Sequence, residues 1–347
     1  MTTLACLSVD ARAIPRSARR AGRAVARRAR TELDRARSRR SRADLALIHE
    51  FEPAPSGGGH QFLRALVREL GTRGLDIEVN RISGGTPACL FNSFNFDFGR
   101  LRGFAREDCR MVHRVDGPVG TYRGFDDGTD ARIAGINAEL ADATVLQSRY
   151  SLDKHVELGI ELRDPVVISN TVDTAIFFPP DAWEPTAGRP LRVIASSWSR
   201  NPRKGADIFD WLDGNLDPAL ATVTFVGQQP QPFARIRHVG PLDSQGVARL
   251  LREHDVYLAA SRDDPCSNAL LEALACGLPS AYLDSGGHPE LVGEAGVPFG
   301  SPEEVPDALV RLAADLDAYR SRISVPSLVS VADAYLRVLG IAGEAPT

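Results

Sequence analysis

Hydrophobic positions alternate between two periods along most of this chain. The run Leu45-Ala46-Leu47-Ile48 is short, apolar and fits a buried strand. A Gly-rich turn, Ser56-Gly57-Gly58-Gly59, follows it. Phe62, Leu63, Leu66, Val67 and Leu70 then share one face of a helix over residues 61–70. Gly71 and Gly74 stop that helix, and Ile77-Glu78-Val79 resumes a strand. Further strands are predicted at Met111-Val112, Thr144–Leu146 and Val166–Ile168, and helices at Ala131–Ala141 and Ser151–Leu158. The stretch from Phe177 to Pro190 is Pro-rich, polar and without period, which reads as a linker. The alternation then restarts. Strands are predicted at Val193–Ala195, Val223–Val226, Val256–Ala259 and Ser280–Leu283, and helices at Gly205–Leu212, Ser244–Arg252 and Glu303–Leu316. An amphipathic segment, Val331–Leu339, closes the chain as a last helix. Strand–helix alternation of this kind argues for parallel sheets covered on both faces.

Length agrees with that picture, since 347 residues suggest two domains. Division follows the pattern: an extension over 1–43, a first Rossmann-like domain over 44–180, a second over 181–326, and a closing helix and tail over 327–347. No run of about 18 apolar residues predicts a membrane span. The N-terminus lacks the apolar core of a secretory signal. Cysteines 6, 89, 109, 266 and 276 form no CxxC pair, so reduced thiols and a cytoplasmic setting are expected.

Charge changes the picture at one end only. The net charge is −4, but residues 1–43 hold thirteen arginines against Asp10, Glu32 and Asp34. This arm carries +10, and the rest of the chain carries −14. Residues 11–42 are either a solvated, partly helical extension or a means of adhering to anionic lipid. Each basic residue near such a surface contributes about 1 kcal/mol. The arm has no aromatic residue to stack on bases, so nucleic acid is not expected as a partner.

Candidate chemistry falls at four turns. Open parallel sheets hold ligands outside the C-terminal ends of their strands. The Gly57–Gly59 turn leaves backbone free for a phosphate, although Phe62 stands where a dinucleotide fingerprint needs Gly or Ala. His113-Arg114-Val115-Asp116 pairs an imidazole with a carboxylate three residues on. It could move a proton, or it could be a satisfied structural His. Ser199-Arg200-Asn201-Pro202-Arg203-Lys204-Gly205 clusters three cations before a helix, a natural seat for a diphosphate. Lys204 is one of two lysines in the chain, with Lys154. The fourth turn, Asp263 to Gly277, runs an acidic loop into an apolar helix carrying the single carboxylate Glu272. Ser267 or Asn268 can cap that helix. Glu272 must face water or be held by a partner. Gly286-Gly287-His288-Pro289-Glu290 follows, its glycines leaving room for a ligand and its His at the surface or on that ligand.

The combination Asp264-x7-Glu272, Ala273-Leu274-Ala275-Cys276-Gly277-Leu278-Pro279 and Gly286-Gly287-x-x-Glu290 resembles the retaining GT-B glycosyltransferases of the glycosyltransferase 4 group. These carry an E-x7-E signature, an "EAxACGxP" helix and a "GGxxE" loop. Lys204-Gly205 resembles their phosphate-binding "KG" turn, and Val167–Phe177 their "VIPNGVD…F" segment. The resemblance covers about residues 44–340 and leaves the arginine arm outside. Asp264 is one methylene shorter than the usual first Glu. Ser199 or Arg200 stands where the family's Arg precedes Lys. The family's "N-G" reads Asn170-Thr171.

What the resemblance implies is a GT-B fold: two Rossmann-like domains facing a cleft, with the C-terminal helix crossing back to the first. It implies retaining, metal-independent transfer of a hexosyl group from a nucleoside-diphosphate sugar to an acceptor hydroxyl. Glu272 would hold the ribose hydroxyls, and Asp264 the donor sugar. Backbone around Cys266, Ser267 and Asn268 would line sugar or phosphates. Lys204, with Arg200, would neutralise the leaving diphosphate. His113 would touch the donor sugar near the reacting centre. Gly58 and Gly59 would leave room for phosphate and acceptor. No cofactor is expected, and Asp315-Leu316-Asp317, read as part of a C-terminal helix, is rejected as a metal site. Two other readings share the fold, a sugar-nucleotide epimerase and a non-catalytic sugar-nucleotide-binding protein. The donor's base and sugar, the acceptor and the oligomeric state have no legible code.

Overall fold

A computed structural model of the protein describes residues 43–52, 58–93, 96–104, 106–229 and 231–341. The arginine arm and Gly57 lie outside the described residues. The chain builds two six-stranded sheets, each wholly parallel. The first contains β1 (Leu45–Ile48), β2 (Ile77–Val79), β3 (Ala88–Asn92), β4 (Arg110–Val115), β5 (Ala143–Leu146) and β6 (Pro165–Val167), in the order β2-β1-β3-β4-β5-β6. The second contains β7 (Leu191–Ser197), β8 (Ala221–Gly227), β9 (Arg237–Val239), β10 (Val256–Ala259), β11 (Ser280–Leu283) and β12 (Gly296–Phe299), in the order β12-β11-β10-β7-β8-β9. Read from β9, that is the 3-2-1-4-5-6 order of dinucleotide-binding sheets.

Parallel strands need crossovers, and helices supply them. In the first lobe these include α1 (Gly58–Thr72), α2 (Phe98–Arg102), α3 (Val119–Arg123), α4 (Thr129–Leu140) and α5 (Arg149–Glu157). In the second they are α6 (Ala206–Asn215), α7 (Ser244–Arg252), α8 (Asn268–Ala275), α9 (His288–Val292), α10 (Val305–Ala314) and α11 (Leu316–Ser321). The last helix, α12 (Leu328–Leu339), returns to the first lobe. Its Val331, Tyr335, Leu336 and Leu339 are buried against Phe62, Leu66 and Leu70 of α1. The Arg110 side chain donates to the Val338 carbonyl at 2.7 Å, tying the helix to β4.

Three strands escape the sequence periodicity: β3, β9 and β12. The 303–316 helix is also two helices. Asp315 has left helical geometry and accepts from the Ala318 N–H as the cap of α11. The Asp315-Leu316-Asp317 motif therefore straddles a break rather than riding within one helix. No helix among the described residues is long and apolar enough to cross a membrane.

Candidate functional site

In the second sheet, β7 has β8 on one side and β10 on the other, so the chain's winding reverses between β7 and β10. Strand ends diverge at such a point and open a crevice. A cavity of about 240 Å³ lies there, lined by Ala195–Ser199 at the end of β7 and Tyr257–Ser261 at the end of β10. Lys204, Asp264, Cys266, Ser267 and Asn268 complete the second lobe's wall, and Gly58 faces them from the first.

The floor of this site is an ion pair. Lys204 ends a 3-10 turn, Pro202–Lys204, started by Asn201, whose side chain accepts from Arg203 N–H at 3.0 Å. The Lys204 ammonium meets Asp264 at 2.7 Å. Asp264 also accepts from the Cys266 N–H, and the Ser261 hydroxyl lies 3.3 Å away. Burial pushes the Asp264 carboxyl up, but Lys204 and these hydrogen bonds outweigh it and hold its pKa below the ordinary range. His288 is fully buried rather than at the surface. It bonds the Leu283 carbonyl through Nδ1 at 3.0 Å and meets Ser261 through Nε2 at 3.1 Å, so it buttresses Ser261 beneath Asp264. Gly286 and Gly287 also differ from expectation. A Cβ on either would strike the backbone of Asp264 or Pro265, so their bareness serves the packing of two loops.

Glu272 explains itself through what it lacks. Ser267 caps α8, accepting from Leu270 N–H. One turn on, Glu272 points into a narrow extension of the cleft bounded by Gly58, Arg68, Asp173 and Asn268. No hydrogen bond or ion pair forms on its carboxylate among the described residues. Burial alone pushes its pKa up to about 8. Glu272 is half-buried, and an unpaired carboxylate in such a pocket is satisfied by hydroxyl donors.

The two lobes meet closely. A Cβ on Gly58 would overlap the Asn268 side chain, so only glycine allows α1 to begin there. Asn268 also accepts from Asn170 at 3.0 Å. Glu290, on α9, accepts from the Arg149 N–H at 2.8 and 3.0 Å and so caps the start of α5 in the opposite lobe. Tyr150 donates to Asp263 at 2.8 Å, and Asp263 also pairs with Arg203.

The structure sets two of the sequence's assigned residues away from the cavity. His113 lies inside β4, paired in register with Phe91 and Thr144, and is 0% exposed. Its Nε2 bonds Ser93 at 2.7 Å, its Nδ1 meets Asn137 at 3.0 Å, and its ring stacks on Phe91. Burial pushes its pKa down to about 3. It is a satisfied core histidine and reaches no ligand. Arg200 is exposed and does not line the cavity; Ser199 does. Gly59 sits in α1 with open space beside it. Asp116, the carboxylate that the sequence pairs with His113, follows β4 and takes a bond from Arg114 at 3.0 Å and one from Gln147. Sequence reasoning missed Trp198 on the cavity wall.

Comparison with known proteins now bears on this geometry. Residues 213–315 match the family model of Glycosyl transferases group 1. The fold is GT-B. Sucrose-phosphate synthase from Thermosynechococcus elongatus superposes with a TM-score of 0.68 at 16% identity, covering 86% of this chain and 98% of that one. HepE of Anabaena, solved with UDP and glucose, gives 0.63 at 16% identity, over 86% and 99%. AviGT4, a glycosyltransferase of avilamycin A biosynthesis, gives 0.56 at 15% identity, over 86% and 97%. No curated protein sequence matches the chain significantly. The group 1 segment spans β8 through α10 and so contains Asp264, Glu272 and Glu290, while Lys204 precedes it.

Proposed function

We propose that this GT-B protein is a metal-independent, retaining glycosyltransferase that moves a hexosyl group from a nucleoside-diphosphate sugar to an acceptor hydroxyl. The observation that carries the reading is Glu272: an unpaired carboxylate in a pocket that shares Gly58 and Asn268 with the cavity holding Lys204 and Asp264. A ribose diol would supply its missing donors. HepE is solved with UDP-glucose, which supports a nucleotide-sugar donor for a chain of the same fold.

In this reading the second lobe, 181–326, holds the donor, and the first, 44–180, holds the acceptor. Lys204 moves part of its charge from Asp264 to the departing diphosphate. Fixed positive charge at the leaving group lowers the barrier as the anomeric C–O bond breaks. Asp264, partly released, accepts from hydroxyls of the donor sugar. Backbone N–H groups at Cys266, Ser267 and Asn268 stand on the same wall. The leaving phosphate takes the acceptor's proton on the face it departs from, so configuration is retained. Closure over the donor excludes water. The protein acts in the cytoplasm, with residues 11–42 holding it to an anionic membrane surface.

The test is a thermal shift with UDP, GDP and TDP and their sugars, repeated on Glu272→Ala and with EDTA. One nucleotide should raise the melting temperature of the wild type, with or without EDTA, and not that of the variant. Equal shifts in both proteins would remove Glu272 from the site and the reading with it. Product anomeric configuration by NMR decides retention.

A further inference from the structure

We propose that His60, held by His49, is the acceptor-contacting residue of the first lobe, and that the acceptor is a polyhydroxylated, sugar-like molecule. This rests on the glycosyltransferase reading. The first sheet has its own reversal of winding, between β1 and β3. His49 follows β1 directly, at the point where such a sheet receives ligands. His60 stands above it on the first turn of α1.

The two rings are joined, His49 Nε2 to His60 Nδ1, at 2.8 Å. His49 is 3% exposed, and its Nδ1 has no partner among the described residues. Orphaned buried N–H groups are rarer than orphaned acceptors. His49 Nδ1 therefore carries the lone pair, and Nε2–H donates to His60. Neutral His60 must then carry its proton on Nε2. Burial pushes both pKa values down and keeps the rings neutral. Glu52 confirms the direction: its carboxylate stands 4.0 Å from His60 Nε2, with a side chain 74% exposed. The protonated edge of His60, a residue 8% exposed, thus lies toward a solvent-exposed, acceptor-only carboxylate.

His60 lies two residues after Gly58, which packs on Asn268 of the second lobe. The charge of Asp116 acts on His60. Gly117, the next residue, packs against Pro265 beside Asp264. An N–H donor next to a carboxylate matches adjacent hydroxyls: one oxygen accepts from Nε2–H, and a neighbouring O–H donates to Glu52. The pair positions the acceptor and leaves the proton transfer to the departing phosphate. His49 touches no ligand and works by fixing the tautomer of His60.

The experiment uses the whole protein, with UDP-glucose as donor and glycerol and methyl α-D-glucopyranoside as acceptor probes. Long-range proton–nitrogen NMR should show His60 protonated on Nε2, and that signal should move on addition of the glucoside. His60→Gln, which keeps an N–H, should retain acceptor-stimulated UDP release. His60→Phe should raise the acceptor KM about tenfold, the scale of one lost hydrogen bond. The UDP-induced thermal shift should be unchanged in both. His49→Phe should follow His60→Phe, and His49→Gln should restore the wild-type KM. An Nδ1–H tautomer, a signal that the glucoside does not move, or a KM unchanged in His60→Phe overturns the proposal. A wild type that binds no nucleotide sinks the glycosyltransferase reading instead, and the glucoside titration still decides His60.

Discussion

At the cleft edge of the second lobe, charged groups answer one another. Lys204 meets Asp264, Ser261 and His288 stand beneath, and Glu272 has no partner among the described residues. At the edge of the first lobe, two neutral rings share one proton, and the Glu52 carboxylate stands 4.0 Å from His60 Nε2. Both edges sit at a reversal of a parallel sheet. The difference suits what each is proposed to hold. A diphosphate demands fixed positive charge, whereas a neutral acceptor demands only directional donors and acceptors.

The strongest way to break this comparison is to remove the cation. Lys204→Ala should weaken nucleotide binding on the order of 10–100-fold, the range of a hydrogen bond to a charged group. It should also destabilise the free protein by about 1–3 kcal/mol, since Asp264 is left buried without its counter-ion. Because the pair holds the Asp264 pKa down, its contribution is present above the ordinary carboxylate range and fades as pH falls through the lowered value. Calorimetric titration with the nucleotide found by thermal shift, and urea unfolding at several pH values, measure the two effects. Full affinity in the variant would show that the diphosphate rests elsewhere.

A smaller effect is expected where the lobes join. Glu290 caps α5 across the cleft, and Tyr150 holds Asp263, the residue before Asp264. Glu290 is exposed, so its charge at a helix N-terminus contributes about 0.3–1 kcal/mol to closure. Glu290→Ala should therefore increase the radius of gyration by small-angle scattering in the presence of nucleotide. It should also raise donor hydrolysis relative to transfer, because closure keeps water out. Scattering curves identical to wild type would mean that Glu290 only caps a helix.

Much of this was legible in the sequence, and the rest has physical reasons for hiding. Core strands such as Leu45–Ile48 and Val256–Ala259 are apolar runs and read directly. β12 contains Gly296 and Pro298, and β9 is Arg-His-Val; both are edge strands, where pairing rather than side-chain pattern makes the element. The chemistry of the second lobe lay in contiguous motifs, so Lys204, Asp264, Ser267 and Asn268 were found together, with Glu272 in the adjoining extension of the cleft. That of the first lobe depends on strand register. His113 was carried over by analogy, but β4 extends to Val115, so the sheet swallows the imidazole and the strand end presents Asp116 instead. The His49–His60 pair joins residues eleven apart through a turn, and no linear motif announces it.

The finest test concerns Glu272 without any ligand. An unpaired carboxylate whose folded pKa is pushed to about 8, from an ordinary 4.5, disfavours the folded state once it ionises. Below about 4.5 the group is protonated in both states and costs nothing. As pH rises from there to about 8, the unfolded chain ionises freely while the folded one resists, and stability is lost across that window. Glu272→Gln keeps the shape and removes the charge. Its melting temperature should equal that of wild type at acid pH and exceed it increasingly up to pH 8, while nucleotide binding falls. Such a gain in stability with a loss of binding is the mark of a group kept for a ligand. If the two melting curves stay parallel across pH, Glu272 is already satisfied by water, and the comparison loses the unanswered charge on which the second lobe's reading depends.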